Sequence, residues 1–113
     1  MSTSATTWEG RRALTDNPNT SAEIYQKVAR QLLGDNALSD AVIFFTRADD
    51  QGGLEEILDI AVRDGNYFIF QAVAVKLKNK PDKTKIEALA LAAEKNGQII
   101  YAEKANQYLA ENY

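Results

Sequence analysis

The sequence feature that most constrains the fold is a period of 32, which begins at Thr20. A capping residue and a Glu three positions later occur three times: Thr20 with Glu23, Gly52 with Glu55, and Thr84 with Glu87. This pair is typical of a helix start, because a cap and a Glu can satisfy the unpaired N–H groups of the first turn. The period therefore predicts three copies of one helical unit.

Apolar residues recur with the same period at eight positions of each unit. Two of the eight sets are alanine-rich: Ala29, Ala61 and Ala93 in the first half of the unit, and Ala41, Val73 and Ala105 in the second half. Within each half the apolar positions follow the three, four and seven spacing of one helical face. Each half of a unit is therefore predicted to be one amphipathic helix.

A glycine separates the two halves of each unit, at Gly34, Gly65 and Gly97. Glycine just past a helix end adopts the left-handed conformation that terminates the helix. The predicted helices span 21–33, 36–48, 54–64, 66–79, 85–96 and 98–111. The fold class is therefore predicted as all-α: three tandem antiparallel helical hairpins of period 32, forming a short α-solenoid or compact bundle. Residues 20–113 would form this single helical-repeat domain, and residues 1–19 a flexible or loosely docked N-terminal segment.

The alternative is an alternating α/β fold. Residues 41–46, 67–75 and 98–102 are candidates for strands, because the first two stretches are rich in β-branched and aromatic residues. However, the last stretch continues into Ala102, Glu103, Lys104 and Ala105, which favour helix. Since the repeat ties the three stretches together, the all-α fold is the better prediction.

The composition argues against catalysis. The 113 residues contain no Cys and no His, which leaves only carboxylate, Lys and Tyr side chains for chemistry. The sequence also has no phosphate-binding glycine loop and no recognisable metal-ligand spacing. We therefore expect no enzyme activity, no cofactor and no metal site.

Charge and hydropathy restrict the partners. A formal net charge of -3 argues against nucleic acid, which requires a concentrated positive field. No stretch approaches the roughly 20 apolar residues of a membrane span, and the N-terminus has no apolar core like that of a secretory signal. We expect a cytoplasmic protein that binds neither membranes nor nucleic acid.

The helix–turn–helix period resembles that of the tetratricopeptide class of helical repeats, over residues 20–113. Ala102 matches the small residue of that family's second helix. The resemblance implies stacked hairpins whose first helices line a concave surface that binds a protein or peptide. The partner-binding candidates on that surface are Lys27, Arg30, Asp59, Arg63, Leu91, Glu94 and Lys95. The basic members of this set could hold a carboxylate of the partner.

The last predicted helix carries large apolar residues around much of its circumference, with no further helix to cover it. The candidate assembly surface consists of Trp8, Ile100, Tyr108 and Tyr113. The sequence therefore predicts a non-catalytic protein–protein interaction module or adaptor. The alternative is a structural subunit that forms a homo-oligomer or docks into a larger complex through its C-terminal helix.

Overall fold

The computed structural model describes residues 21–113, and the predicted N-terminal segment 1–19 lies outside the described residues. The described part of the chain is all-α. Its six helices are α1 (Ala22–Gly34), α2 (Leu38–Arg47), α3 (Gln51–Asp64), α4 (Tyr67–Ala74), α5 (Lys83–Lys95) and α6 (Ile99–Asn112). No strand occurs between residues 21 and 113, so the α/β alternative is not supported.

The chain divides into two compact units, Met1–Gly53 and Leu54–Tyr113. In the first unit α1 packs on α2, and the core there includes Val28, Leu32, Phe44 and Phe45. In the second unit α5 packs on α6, and α4 also contacts α6. Its largest fully buried side chain is Phe70, on α4.

Four helices end in the same way, with one residue in the left-handed conformation. These residues are Asn36, Asp49, Gly65 and Gly97, with φ between 53° and 74°. After each, the next N–H bonds back to a carbonyl five residues earlier, as in Asn66 N–H to Ala61 O at 2.8 Å. This pattern satisfies the last carbonyl groups of the helix. The predicted turn glycines Gly65 and Gly97 are confirmed.

The prediction for Gly34 is wrong. Gly34 is the last residue of α1, and Asn36 adopts the left-handed conformation two positions later. Asn tolerates this conformation better than most residues, because its short polar side chain can hydrogen-bond locally. The first hairpin therefore turns later than the glycine pattern indicates.

The helix starts also differ from the prediction. The N-cap of α1 is Ser21, whose hydroxyl accepts from the Ile24 N–H, whereas the predicted Thr20 lies outside the described residues. Asp50, not Gly52, precedes α3 and accepts from the Gly53 N–H at 3.0 Å. Asp82, not Thr84, is the N-cap of α5. The predicted Glu residues consequently do not occupy the third helical position of a capping box.

The spacing of these caps departs from the predicted period in the first interval. The interval from Asp50 to Asp82 equals the predicted period. The interval from Ser21 to Asp50 is three positions shorter. A register error of three positions nearly preserves the helical face, since residues three apart are neighbours on a helix. Many apolar positions therefore aligned despite the error. Ala29, Ala61 and Ala93 are all buried, and so are Ala41, Val73 and Ala105, but Ala22 is exposed.

Helix α4 is shorter than the predicted 66–79. It ends at Ala74, and the N–H groups of Lys76 and Leu77 both bond to the Val73 carbonyl. Continuing the helix would place the like charges of Lys76 and Lys80 one turn apart. In addition, Lys80 precedes Pro81, and the residue before proline disfavours helical geometry.

Candidate functional site

The polar face of α1 lines an open cavity in the first unit, with a volume of about 570 Å³. This face lies opposite the α1 residues Val28, Ala29 and Leu32, which are buried. The cavity is lined by Glu23, Gln26, Lys27, Arg30, Gln31 and Asp50. We call these six residues the α1 cavity. Two of them, Lys27 and Arg30, belong to the predicted partner-binding set.

Asp50 fixes one wall of the α1 cavity. One of its carboxylate oxygens, Oδ1, accepts from the Gly53 N–H at 3.0 Å and so caps α3. The other, Oδ2, accepts from the Gln26 side-chain amide at 3.3 Å. Because both oxygens already accept hydrogen bonds, Asp50 acts as a positioning group that ties α1 to the start of α3.

Arg30 is held by an aromatic ring. Its guanidinium carbon lies 5.2 Å from the centroid of the Phe45 ring, and Phe45 itself is fully buried. Gly53 makes room for this ring, since a Cβ at Gly53 would lie 2.3 Å from two of its atoms. A cation over a ring face is attracted by the ring quadrupole. The core of the first unit therefore orients an exposed cation in the wall of the α1 cavity.

Two other predicted residues form ion pairs within the second unit. Asp59 lies 2.9 Å from the Lys85 ammonium, and the pKa of Lys85 is raised, chiefly by this hydrogen bond. Arg63 lies 3.0 Å from the carboxylate of Asp64, the next residue, which raises the pKa of Arg63 above its ordinary value. Both arrangements are exposed, so they contribute little to stability.

The remaining predicted partner-binding residues, Leu91, Glu94 and Lys95, are exposed on α5. Leu91 lies among the exposed large apolar side chains of the second unit. All three belong to the second unit, whereas Lys27 and Arg30 belong to the first. The α1 cavity therefore contains only Lys27 and Arg30 from the predicted set.

The predicted assembly residues have different surroundings. Trp8 lies outside the described residues. Ile100 is 67% exposed on α6, beside the exposed Ile99. Tyr108 instead packs edge-on against Phe70, with ring centroids 5.3 Å apart. The Tyr113 hydroxyl donates to the Pro81 carbonyl, and Lys80 lies 4.4 Å from the Tyr113 ring centroid.

Sequence reasoning missed three residues of the α1 cavity, Glu23, Gln26 and Asp50, whereas Gln31 is expected on the same exposed helix face as Lys27 and Arg30. Glu23 was assigned to a capping box. Asp50 lies between the predicted helices 36–48 and 54–64, so it was given no role. Its position three residues before Gly53, from whose N–H it accepts, is a usable signal, since Asp is a favoured N-cap.

Two kinds of feature do not occur in the described part of the chain. Between residues 21 and 113 no cluster of three or more acidic side chains could hold a metal ion. In the same part of the chain, no helix has the length and apolarity needed to cross a bilayer. The α1 cavity presents amide, ammonium and guanidinium donors, which suit carboxylate recognition.

Comparison with known proteins finds no matching family model, no matching curated protein and no matching solved structure.

Proposed function

We propose that the chain is a non-catalytic protein-interaction module that binds a carboxylate-bearing peptide through the α1 cavity. The observation that carries this proposal is the Arg30 guanidinium, held over the buried Phe45 ring in the wall of the cavity. Arginine binds carboxylates through paired N–H donors, and a pre-oriented guanidinium loses less freedom on binding.

Two other residues of the α1 cavity support the same ligand class. Lys27 adds a second cation on the same helix face, and Gln31 adds amide donors. The acidic Glu23 lies one turn before Lys27, so a ligand carboxylate is favoured near Arg30 rather than near the start of α1. The volume of about 570 Å³ is within the usual range for a pocket and accommodates a short peptide segment.

The resemblance to tetratricopeptide repeats supports an adaptor role, since the first helices of such hairpins line the binding surface. The cysteine-free composition suits a reducing compartment. We accordingly place this adaptor in the cytoplasm, with a protein or peptide as its partner.

The test is fluorescence anisotropy with a labelled short peptide that has no acidic side chain and a free C-terminal carboxylate, and with its C-terminally amidated twin. The carboxylate peptide should bind more tightly. Arg30→Gln should weaken its binding about tenfold or more, because a hydrogen bond to a charged group contributes roughly 1.5–3 kcal/mol. Arg30→Lys should recover part of the loss, since it restores the charge without the paired donors.

The matched control is Lys104→Gln, which removes an exposed cation of α6 in the second unit. It should leave binding unchanged. Equal affinity of wild type and Arg30→Gln for both peptides would contradict the proposal. Circular dichroism of each variant would show that the helices are retained.

A second candidate function is self-assembly through α6, favoured by the exposure of Ile99 and Ile100. Mass measured by light scattering should then rise with concentration, and Ile100→Glu should abolish that rise. Tyr108 is a poor probe of assembly, because its ring packs on Phe70 within the unit. A constant monomer mass at all concentrations would eliminate this candidate.

A further inference from the structure

Three charged side chains form a line along the α1 cavity. Glu23, Lys27 and Arg30 are all exposed, and they occupy positions i, i+4 and i+7 of α1. Residues with this spacing lie on one face of a helix, one above the other. We call these three residues the α1 row. From the start of α1 toward its end, the charges of the row are acidic, basic and basic.

The acidic residue of the α1 row differs from the other acidic residue of the cavity. Both carboxylate oxygens of Asp50 already accept hydrogen bonds, from Gly53 and from Gln26. Among residues 21–113, by contrast, no ion pair or hydrogen bond engages the Glu23 carboxylate. Glu23 is therefore the anionic group of the cavity that a ligand cation can approach.

Two amide side chains flank the α1 row. Gln26 directly precedes Lys27 in the chain, and Gln31 directly follows Arg30. Successive residues are rotated by about 100° around a helix, so the two amides lie on opposite sides of the row. Because Gln26 donates its Nε2 to Asp50, its Oε1 is an acceptor in the cavity wall. Amides on both sides suit an extended peptide, whose main chain carries both donors and acceptors.

We propose that the α1 cavity selects a peptide with a basic side chain three residues before its last residue, and that Glu23 determines this preference. The inference rests on the proposed function, in which the peptide carboxylate lies beside Arg30. Glu23 and Arg30 are seven positions apart, which is about 10 Å along the helix axis. An extended peptide advances about 3.3 Å per residue, so three residues cover the same distance.

Lys27 restricts where the basic side chain of the peptide can lie. It stands between Glu23 and Arg30 in the α1 row. A ligand cation beside Lys27 or Arg30 meets a like charge, which is unfavourable. A basic residue at the carboxyl end of the peptide is therefore repelled, whereas one that extends past Lys27 meets Glu23. A peptide bound in the reverse direction would face like charges at both ends.

The test uses two short labelled peptides of identical composition, each with one Lys, no acidic side chain and a free C-terminal carboxylate. The label blocks the amino terminus, so Lys carries the only positive charge. Lys stands three residues before the last residue in the first peptide, and is the last residue in the second. In fluorescence anisotropy the first peptide should bind about fivefold more tightly, since it gains one exposed ion pair and avoids one like-charge contact.

The role of Glu23 is tested with Glu23→Gln, which keeps the length of the side chain and removes its charge. The preference between the two peptides should fall from about fivefold to about twofold, the part due to Lys27. The preference of the first peptide over its C-terminally amidated twin should remain. The matched control is Glu103→Gln, at an exposed carboxylate of α6 in the second unit, which should keep both preferences.

A charge exchange makes the test sharper. A third peptide replaces the Lys of the first peptide with Glu, and it should bind wild type more weakly than the first. Glu23→Lys should reverse that order. Glu23 also lies in the first turn of α1, where an acidic side chain stabilises the helix. A purely structural role would change the affinity of all three peptides alike, so the order of affinities separates the two roles.

Two results would overturn this inference while the proposed function holds. The first is equal binding of the two Lys peptides to wild type, together with weaker binding of the amidated twin. The second is an unchanged preference in Glu23→Gln, which would show that another group selects the basic side chain. Equal binding of the first peptide and its amidated twin would instead contradict the proposed function, and this inference with it.

Discussion

The two units differ in the atoms that pack against a glycine next to a helix: side-chain atoms at Gly53 in the first unit and main-chain atoms at Gly65 in the second. In the first unit, side chains join the start of α3 to α1 and α2: Asp50 accepts from Gly53 and Gln26, and the Phe45 ring fills the space beside Gly53. In the second unit, main-chain atoms of α5 pack against Gly65. Gly65 lies so close to α5 that a Cβ there would be 2.4 Å from the Ala93 nitrogen. The Asn96 side chain also donates to the Asp64 carbonyl at 3.0 Å.

This difference affects how each unit responds to a small change. An aromatic ring can tilt or shift within its packing, whereas a helix backbone can move only with its whole helix. The second unit should therefore tolerate an added methyl group less well than the first. The contacts of the first unit also have a second role, because Asp50 and Phe45 position groups of the α1 cavity.

The largest effect is expected for Gly65→Ala. The left-handed backbone at φ +68° costs a residue with a Cβ about 1–2 kcal/mol. The clash with the α5 backbone adds about 1–3 kcal/mol of overpacking. The free energy of unfolding, measured with urea, should fall by the sum of these costs.

The control is Gly97→Ala, which has nearly the same backbone angle but open space around it. It should show only the backbone cost. If both substitutions destabilise equally, the close approach of Gly65 to α5 has no energetic importance, and the contrast between the units is lost.

A smaller loss is expected for Gly53→Ala. The new Cβ would meet the Phe45 ring, and overpacking of this kind costs about 1–3 kcal/mol. Phe45→Leu in the same chain should recover part of the loss by making room. Gly52→Ala is the neighbouring control: its nearest contact is 3.5 Å away, so it should be neutral or stabilising. A loss at Gly53 greater than at Gly65 would reverse the comparison.

The pattern of apolar residues predicted the buried faces of the helices more accurately than the spacing between the helix starts. Ala29, Ala61 and Ala93 were correctly predicted to be buried, because helical faces are visible in the pattern of apolar residues. The shorter interval between the first two caps, Ser21 and Asp50, was missed, since a shift of three positions nearly preserves the face. Asn36 was missed because glycine is the stronger signal for a left-handed helix end.

The residues of the α1 cavity were also predicted only in part. Exposed cations on a predicted helix face, such as Lys27 and Arg30, can be identified from spacing alone. The contacts of Asp50 with Gln26 and of Arg30 with Phe45 join residues far apart in the chain. Such pairs depend on how helices pack, which a single sequence does not specify.

The next comparison concerns the aspartates that precede α3 and α5. Asp50→Ala should lower the free energy of unfolding by about 1 kcal/mol, the usual contribution of an N-cap. Asp82→Ala should have a smaller effect, because the Asp82 side chain makes no capping hydrogen bond. Asp50→Asn is the conservative variant and should largely retain stability, since Asn is an equally good cap. Equal losses at Asp50 and Asp82 would contradict this assignment of the caps.

The smallest effect concerns alkaline pH and the second unit alone. Burial raises the pKa values of Tyr67 and Tyr108, and the charge of Tyr113 adds to the effect at Tyr108. Above about pH 10 the unfolded chain therefore loses these protons before the folded chain does. Since the folded state then binds more protons, stability should fall as pH rises through the ordinary pKa of tyrosine toward the raised values.

Tyr108→Phe tests this expectation, because it keeps the ring on Phe70 and removes the ionisable hydroxyl. Urea unfolding at a series of pH values should show a shallower alkaline decline in the variant. The pKa of Lys85 is also raised, mainly by its hydrogen bond to Asp59, so its deprotonation lowers the free energy of unfolding as pH rises. The alkaline decline should therefore persist in part in Tyr108→Phe. Tyr25→Phe, in the first unit, is the matched control. If it flattens the decline as much as Tyr108→Phe does, alkaline sensitivity does not distinguish the two units.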